Sequence, residues 1–144
     1  QKDSDKKSIL KIRHRDKLEN LTVLNSIDKK YVDSICYMSY IGIFSLDKRH
    51  TTHNIPGKFL QYISCGLPVF GICSKSDIIE IIKENDLGET YSGNSSAEAM
   101  YLLKNLSQNI EDKKIKPENL RNYIRDNIST KNAAKKIYND LIKN

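Results

Sequence analysis

The run His53-Asn-Ile-Pro-Gly-Lys58, followed by Phe59-Leu-Gln61, gathers residue types that suit an anionic ligand. Pro56 fits the first turn of a helix, because its missing N–H is one that a helix start leaves unpaired. A helix beginning there offers free N–H groups and the positive end of its dipole, which suits a phosphate or diphosphate. Gly57 lets the backbone approach such a ligand closely, and Lys58 brings a mobile positive charge to the same place. Gln61 lies about one helical turn further on, where its amide can meet a ribose hydroxyl on the same edge. The same residues equally fit a plain helix start with a solvated lysine. The glycine spacing and the Lys-Ser/Thr pair of a P-loop are absent.

The elements that must position this run follow from apolar spacing and breakers. A charged helix is predicted over 4–17, with a thin apolar stripe at Ile9 and Ile12. Leu21–Leu24 reads as a short strand, and Asp28 as the cap of a helix from Lys29 to about Ser39. Ile41–Phe44 is a second compact apolar strand, and Ser45–Ile55 a polar loop holding two of the three histidines. The helix starting at Pro56 is expected to run to about Cys65 and stop at Gly66. Leu67–Ile72 is a buried strand, Ser76 or Asp77 opens a helix through Glu84, and a short strand spans Glu89–Ser92. A helix capped by Ser95 or Ser96 reaches about Gln108, and Ser107–Lys116 is a loop. Pro117 starts another helix, and Ser129 or Thr130 caps a last one to about Ile142. Short Ile/Val/Phe-rich strands alternating with helices predict an α/β fold, a Rossmann-like parallel sheet flanked by helices. Without repeats or linkers the 144 residues are expected to form a single domain. Ligands of such sheets gather beyond the carboxyl ends of the strands.

Composition narrows the classes further. The net charge of +6 divides into +4 over residues 1–30, −2 over 31–94 and +4 over 95–144. The terminal lysines are interleaved with acids at helical spacing, as on a solvated helix face, so no nucleic-acid partner is expected. Weak attraction to anionic lipid headgroups, hence peripheral membrane association, fits these ends as well. No apolar run approaches the roughly 18–20 residues of a spanning helix. Cys36, Cys65 and Cys73 are odd in number and lie in apolar contexts, which suits buried free thiols in a reducing cytosol better than a disulfide framework or zinc site. Gln1–Lys7 has neither an apolar signal core nor an initiating Met, so the chain is expected to be a segment of something longer or a processed product.

His53-Asn-Ile-Pro-Gly-Lys-Phe-Leu-Gln-Tyr-Ile-Ser-Cys-Gly-Leu-Pro-Val69 resembles the donor-site segment of GT-B retaining glycosyltransferases of family four, in which a loop and helix precede a Gly-x-Pro-Val strand entry. The Pro-Gly-Lys-Phe-Leu variant is similar to bacterial enzymes of O-antigen and capsule synthesis, including those that transfer N-acetylated deoxyhexoses. Asn20–Asn25, Tyr31–Phe44, Asp77–Ile82 and Asn85–Gly88 resemble the family's neighbouring elements in order. The resemblance implies the C-terminal, donor-binding half of a two-domain enzyme, with the first strand of that half missing. It implies a nucleotide sugar, UDP-linked, as substrate without a further cofactor or metal, and a saccharide or lipid-linked acceptor bound through the other domain. The enzyme would work in the cytoplasm, at the inner face of the plasma membrane, and this fragment alone would not turn over. The backbone from Asn54 through Ile55 to Gly57 would hold the diphosphate with help from Lys58, and the loop from Asn25 to Ile27, with Ser26 and Ile27, would lie beside the base. The family's two Glu, eight positions apart, fall here on His53 and Gln61, so neither position supplies a carboxylate. No catalytic side chain is assigned, and His53 reads equally as an ordinary loop histidine.

Two other classes compete. A stand-alone nucleotide-sensing or response-regulator-like module would want an Asp cluster at strand ends; Asp47 follows one strand, but no acidic pair precedes it. A basic adaptor for nucleic acid or membrane surfaces would rest on the lysine-rich ends alone.

Overall fold

The computed structural model describes residues 2–47 (side chains from residue 5), 55–74, 76–128 and 132. Two compact units divide the chain, Gln1–Val32 and Asp33–Asn144.

In the first unit, α1 (Lys2–Arg15) carries Ile9, Leu10 and Ile12 exposed between its charges. Its end is a turn in which the Leu18 N–H bonds the Arg13 carbonyl at 3.0 Å. Lys6 Nζ donates to Asn25 Oδ1. Leu21–Leu24 does not form the expected strand: it is irregular and enters no ladder among the described residues. β-propensity marks a chain that fits a pleated surface, and without a paired neighbour a four-residue run leaves its amides to water. Leu24, 57% exposed, shows how little covers this run. α2 (Lys29–Met38) begins after Asp28, whose carboxylate accepts from the Lys30 N–H at 3.1 Å, and from Asp33 onward it belongs to the second unit.

The second unit is an α/β assembly built on a small parallel sheet. β1 (Gly42–Ser45), β2 (Val69–Ile72) and β3 (Gly88–Tyr91) pair in that order, in register from Gly42↔Val69↔Gly88 to Ser45↔Ile72↔Tyr91. α3 (Gly57–Ser64) joins β1 to β2, and α4 (Ile78–Glu84) joins β2 to β3; α5 (Ser96–Glu111) and α6 (Pro117–Asn127) follow. This is the Rossmann-like α/β class, as the alternation of elements predicts. The central strand β2 buries Val69, Phe70 and Gly71 in succession, so both of its faces are covered. β1 alternates instead, with Gly42 and Phe44 buried and Ile43 and Ser45 exposed.

The core explains why α3 is a helix here. Phe59 and Ile63, four apart and so on one face, are both fully buried, and the Phe59 ring meets the Phe44 ring edge-on at 6.2 Å. Each such side chain contributes about 1.5–3 kcal/mol by leaving water. The helix ends as expected at Gly66, whose φ of +75° turns the chain so that the Gly66 and Leu67 N–H groups bond the Ile63 and Tyr62 carbonyls, both at 2.9 Å. Gly88 serves a different need: a Cβ there would overlap the Val69 carbonyl, so β3 can approach β2 only with glycine at this point. α5 runs four residues beyond Ser107, through part of the stretch read as a loop. Leu106 is buried and Ile110 packs against the core, so the apolar spacing continues one turn, and exposed polar residues such as Gln108 do not interrupt it. The final helix expected to about Ile142 lies outside the described residues apart from residue 132. Among the described residues no helix is long and apolar enough to cross a membrane.

Candidate functional site

A parallel sheet with helical crossovers fixes where helices begin. β1 and β2 run the same way, so α3 must run back between them and start on the carboxyl side of the sheet. α4 starts there too, after Asp77, and so does α5, after Ser95. At the ends of the three strands lies a small cavity of about 60 Å³, walled by Leu46 after β1, Ile72–Ser74 at β2 and Tyr91–Gly93 at β3. Burial pushes the Cys73 thiol above its ordinary value, so this wall is neutral and apolar at physiological pH. The Tyr91 hydroxyl donates to the Ser95 carbonyl at 2.7 Å and fixes the turn into α5.

The start of α3 is the feature of this edge that suits an anion. Pro56 is extended (φ −63°, ψ 133°) at the N-cap position, with Gly57 the first helical residue, and gives no side-chain cap. No acidic residue lies in the first turn. α5, by contrast, has the Ser95 hydroxyl accepting from the Glu98 N–H at 3.3 Å, with Glu98 itself in the first turn. The positive end of α3 therefore meets no carboxylate of its own helix. Among the described residues no atom lies within 4 Å of where a Gly57 Cβ would sit, so they leave the backbone there open. Lys58 is exposed beside it.

Of the residues singled out in the sequence, Ile55, Gly57, Lys58 and Gln61 come together at this helix start. His53 and Asn54 lie outside the described residues. Ser26 and Ile27 are exposed coil residues of the first unit, just ahead of Asp28. Gln61 is half-buried, and its Nε2 donates to Asp33 Oδ1 on α2 at 3.2 Å. A carboxylate thus stands beside Gln61, supplied by a residue 28 positions earlier. Neither Asp33 nor the strand-end residues Ser74, Ser92 and Gly93 were singled out from the sequence. The signal for the latter was present, since small polar residues directly follow the apolar runs of β2 and β3. Asp33 carried none, because only the tertiary fold brings it to Gln61.

Chemically, this edge can hold phosphate oxygens on backbone N–H groups and balance their charge with one mobile ammonium. Among the described residues no three His, Cys, Asp or Glu side chains stand close enough together to hold a metal ion. No protein-family model, curated protein or solved structure matches the chain.

Proposed function

We propose that the chain is the donor-binding half of a GT-B retaining glycosyltransferase of family four, serving bacterial surface polysaccharide synthesis. The observation that carries this is the uncapped, acid-free start of α3 on the carboxyl edge of a parallel sheet, with open space at Gly57 and an exposed Lys58. A nucleotide diphosphate sugar, UDP-linked, would lay its diphosphate across the N–H groups of Gly57 and Lys58. Gln61, held by Asp33, keeps its carbonyl oxygen to accept from a ribose hydroxyl. In transfer, the bond from the sugar's anomeric carbon to the β-phosphate oxygen breaks, and a new bond forms to an acceptor hydroxyl on a saccharide or lipid-linked saccharide. The charge that grows on the departing diphosphate would then be met by the helix start and Lys58. Acceptor contacts and proton transfer are assigned to the partner domain of such enzymes, at the inner face of the plasma membrane.

Titration of the chain with UDP, followed by amide NMR, tests the reading. Shifts centred on Ile55–Gln61 are expected. Silence there at millimolar UDP, with other nucleoside diphosphates equally silent, overturns it.

A further inference from the structure

Cys36 and Cys65 belong to different helices and meet at the other end of α3 from Gly57. Asp33 and Cys36 are three residues apart on α2 and so share a face. Cys65, the C-cap of α3, places its sulfur 3.9 Å from the Asp33 carboxylate, and the two thiols interact with each other. Both line one cavity of about 290 Å³, with Tyr37, Tyr40, Pro68 and Arg121 around them. The sulfurs are nearly enclosed, whereas Tyr37 and Tyr40 are exposed, so the cavity reaches the surface. Cys65 is also held in place: its N–H bonds the Gln61 and Tyr62 carbonyls, and Arg121 Nη1 donates to the Cys65 carbonyl at 3.3 Å. Cys73 lies apart, in the cavity at the carboxyl edge.

We propose that Cys36 and Cys65 form a modification site, a thiol pair that a small peroxide entering this cavity converts into an intramolecular disulfide between α2 and α3. This does not rest on the donor-binding reading. Cys36 is assigned as the attacking sulfur; burial holds its thiol above the ordinary value, so the thiolate that attacks forms as the pH rises. It gives its proton to solvent and attacks one oxygen of hydrogen peroxide; the S–O bond forms, the O–O bond breaks, and hydroxide leaves and is protonated to water. The Cys65 sulfur then attacks the Cys36 sulfenic acid; the S–S bond forms, the S–O bond breaks, and a second water departs with the Cys65 proton. Two thiols have lost two electrons and two protons, and one peroxide has become two waters.

The test treats the folded chain with hydrogen peroxide, then alkylates it in denaturant and maps the peptides by mass. Alkylatable thiols should fall from three to one, with the mass lower by two hydrogens and the peptide of Cys36 joined to that of Cys65. A Cys36→Ser chain should leave Cys65 unlinked. A link to Cys73, a link between chains, sulfinic acids without a link, or three unchanged thiols would each overturn the proposal. So would a Cys36–Cys65 link that forms as fast in denaturant as in the folded chain.

Discussion

The Gln61 amide donates to the Asp33 carboxylate across the gap between α3 and α2, at 3.2 Å. Where the resemblance would place a Glu, the fold holds a neutral amide against an existing acid. Gln61→Glu would set two carboxylates side by side, and the expected cost at neutral pH is about 0.5–1 kcal/mol. Adding Asp33→Asn should restore most of that loss, so denaturant melts of the two single variants and the double variant measure the coupling directly.

Lys58 is exposed, so its removal should cost little. Lys58→Ala should leave stability within about 0.5 kcal/mol of the parent, yet weaken UDP binding about tenfold. Comparing a melt with a UDP titration on the same sample separates the two effects. Equal UDP affinity in both chains would remove Lys58 from the site.

Gly57→Ala makes a sharper pairing of opposite signs. A methyl there meets none of the described residues, and alanine favours the helix, so stability should hold or rise by about 0.5 kcal/mol. If a diphosphate lies against that backbone, the same methyl obstructs it and the UDP affinity falls. Unchanged affinity would mean that the ligand does not approach Gly57.

Gly66 is the internal control for these surface changes. Its φ of +75° disfavours a side chain, and a Cβ would press on Pro117 at 3.0 Å and on the Arg121 guanidinium. Gly66→Ala should cost about 1–2 kcal/mol in a denaturant melt, with UDP binding unaffected once the chain is folded.

The thiols give a pH dependence. Burial, then the neighbouring Cys36 thiol and Asp33, push Cys65 up from 9.0 to about 11. Tyr62 and Arg121 also stand close, the former likewise raised by burial. Between these two values the unfolded chain has released the Cys65 proton while the folded chain keeps it, so stability falls as pH rises through that window. A melt series from pH 8 to 11 should show this decline, and Cys65→Ala should lessen it, the remainder coming from Cys36, Cys73 and the tyrosines that burial also raises. The peroxide reaction should quicken as the pH rises, because the attacking species is the thiolate of Cys36, whose thiol burial also pushes up.

Much of the second unit was legible because local signals and tertiary demands agree there. The apolar runs of β1 and β2, the Pro56–Gly66 bracket around α3 and the serine cap of α5 each carry their own punctuation. Leu21–Leu24 was misread because a strand is a relation between two segments, and one segment shows only half of it. The tail of α5 was misread because Ser107–Glu111 looks polar, while Leu106 and Ile110 alone carry the helical period. Of the candidate site, the helix start was visible in Pro56-Gly57-Lys58. The pairing of Asp33 with Gln61, and of Cys36 with Cys65, depends on how α2 lies against α3, which no local spacing encodes.

Gly88 and Gly57 would leave opposite marks on a library of variants. At 88 the obstacle is the backbone of the neighbouring strand, which no rotamer can evade, so selection for soluble expression alone should return glycine there. Glycine at 88 in any related sequence would then report strand spacing and nothing about ligands. At 57 the molecule itself sets no such bar, so a restricted choice of residue there would be the imprint of whatever arrives from outside.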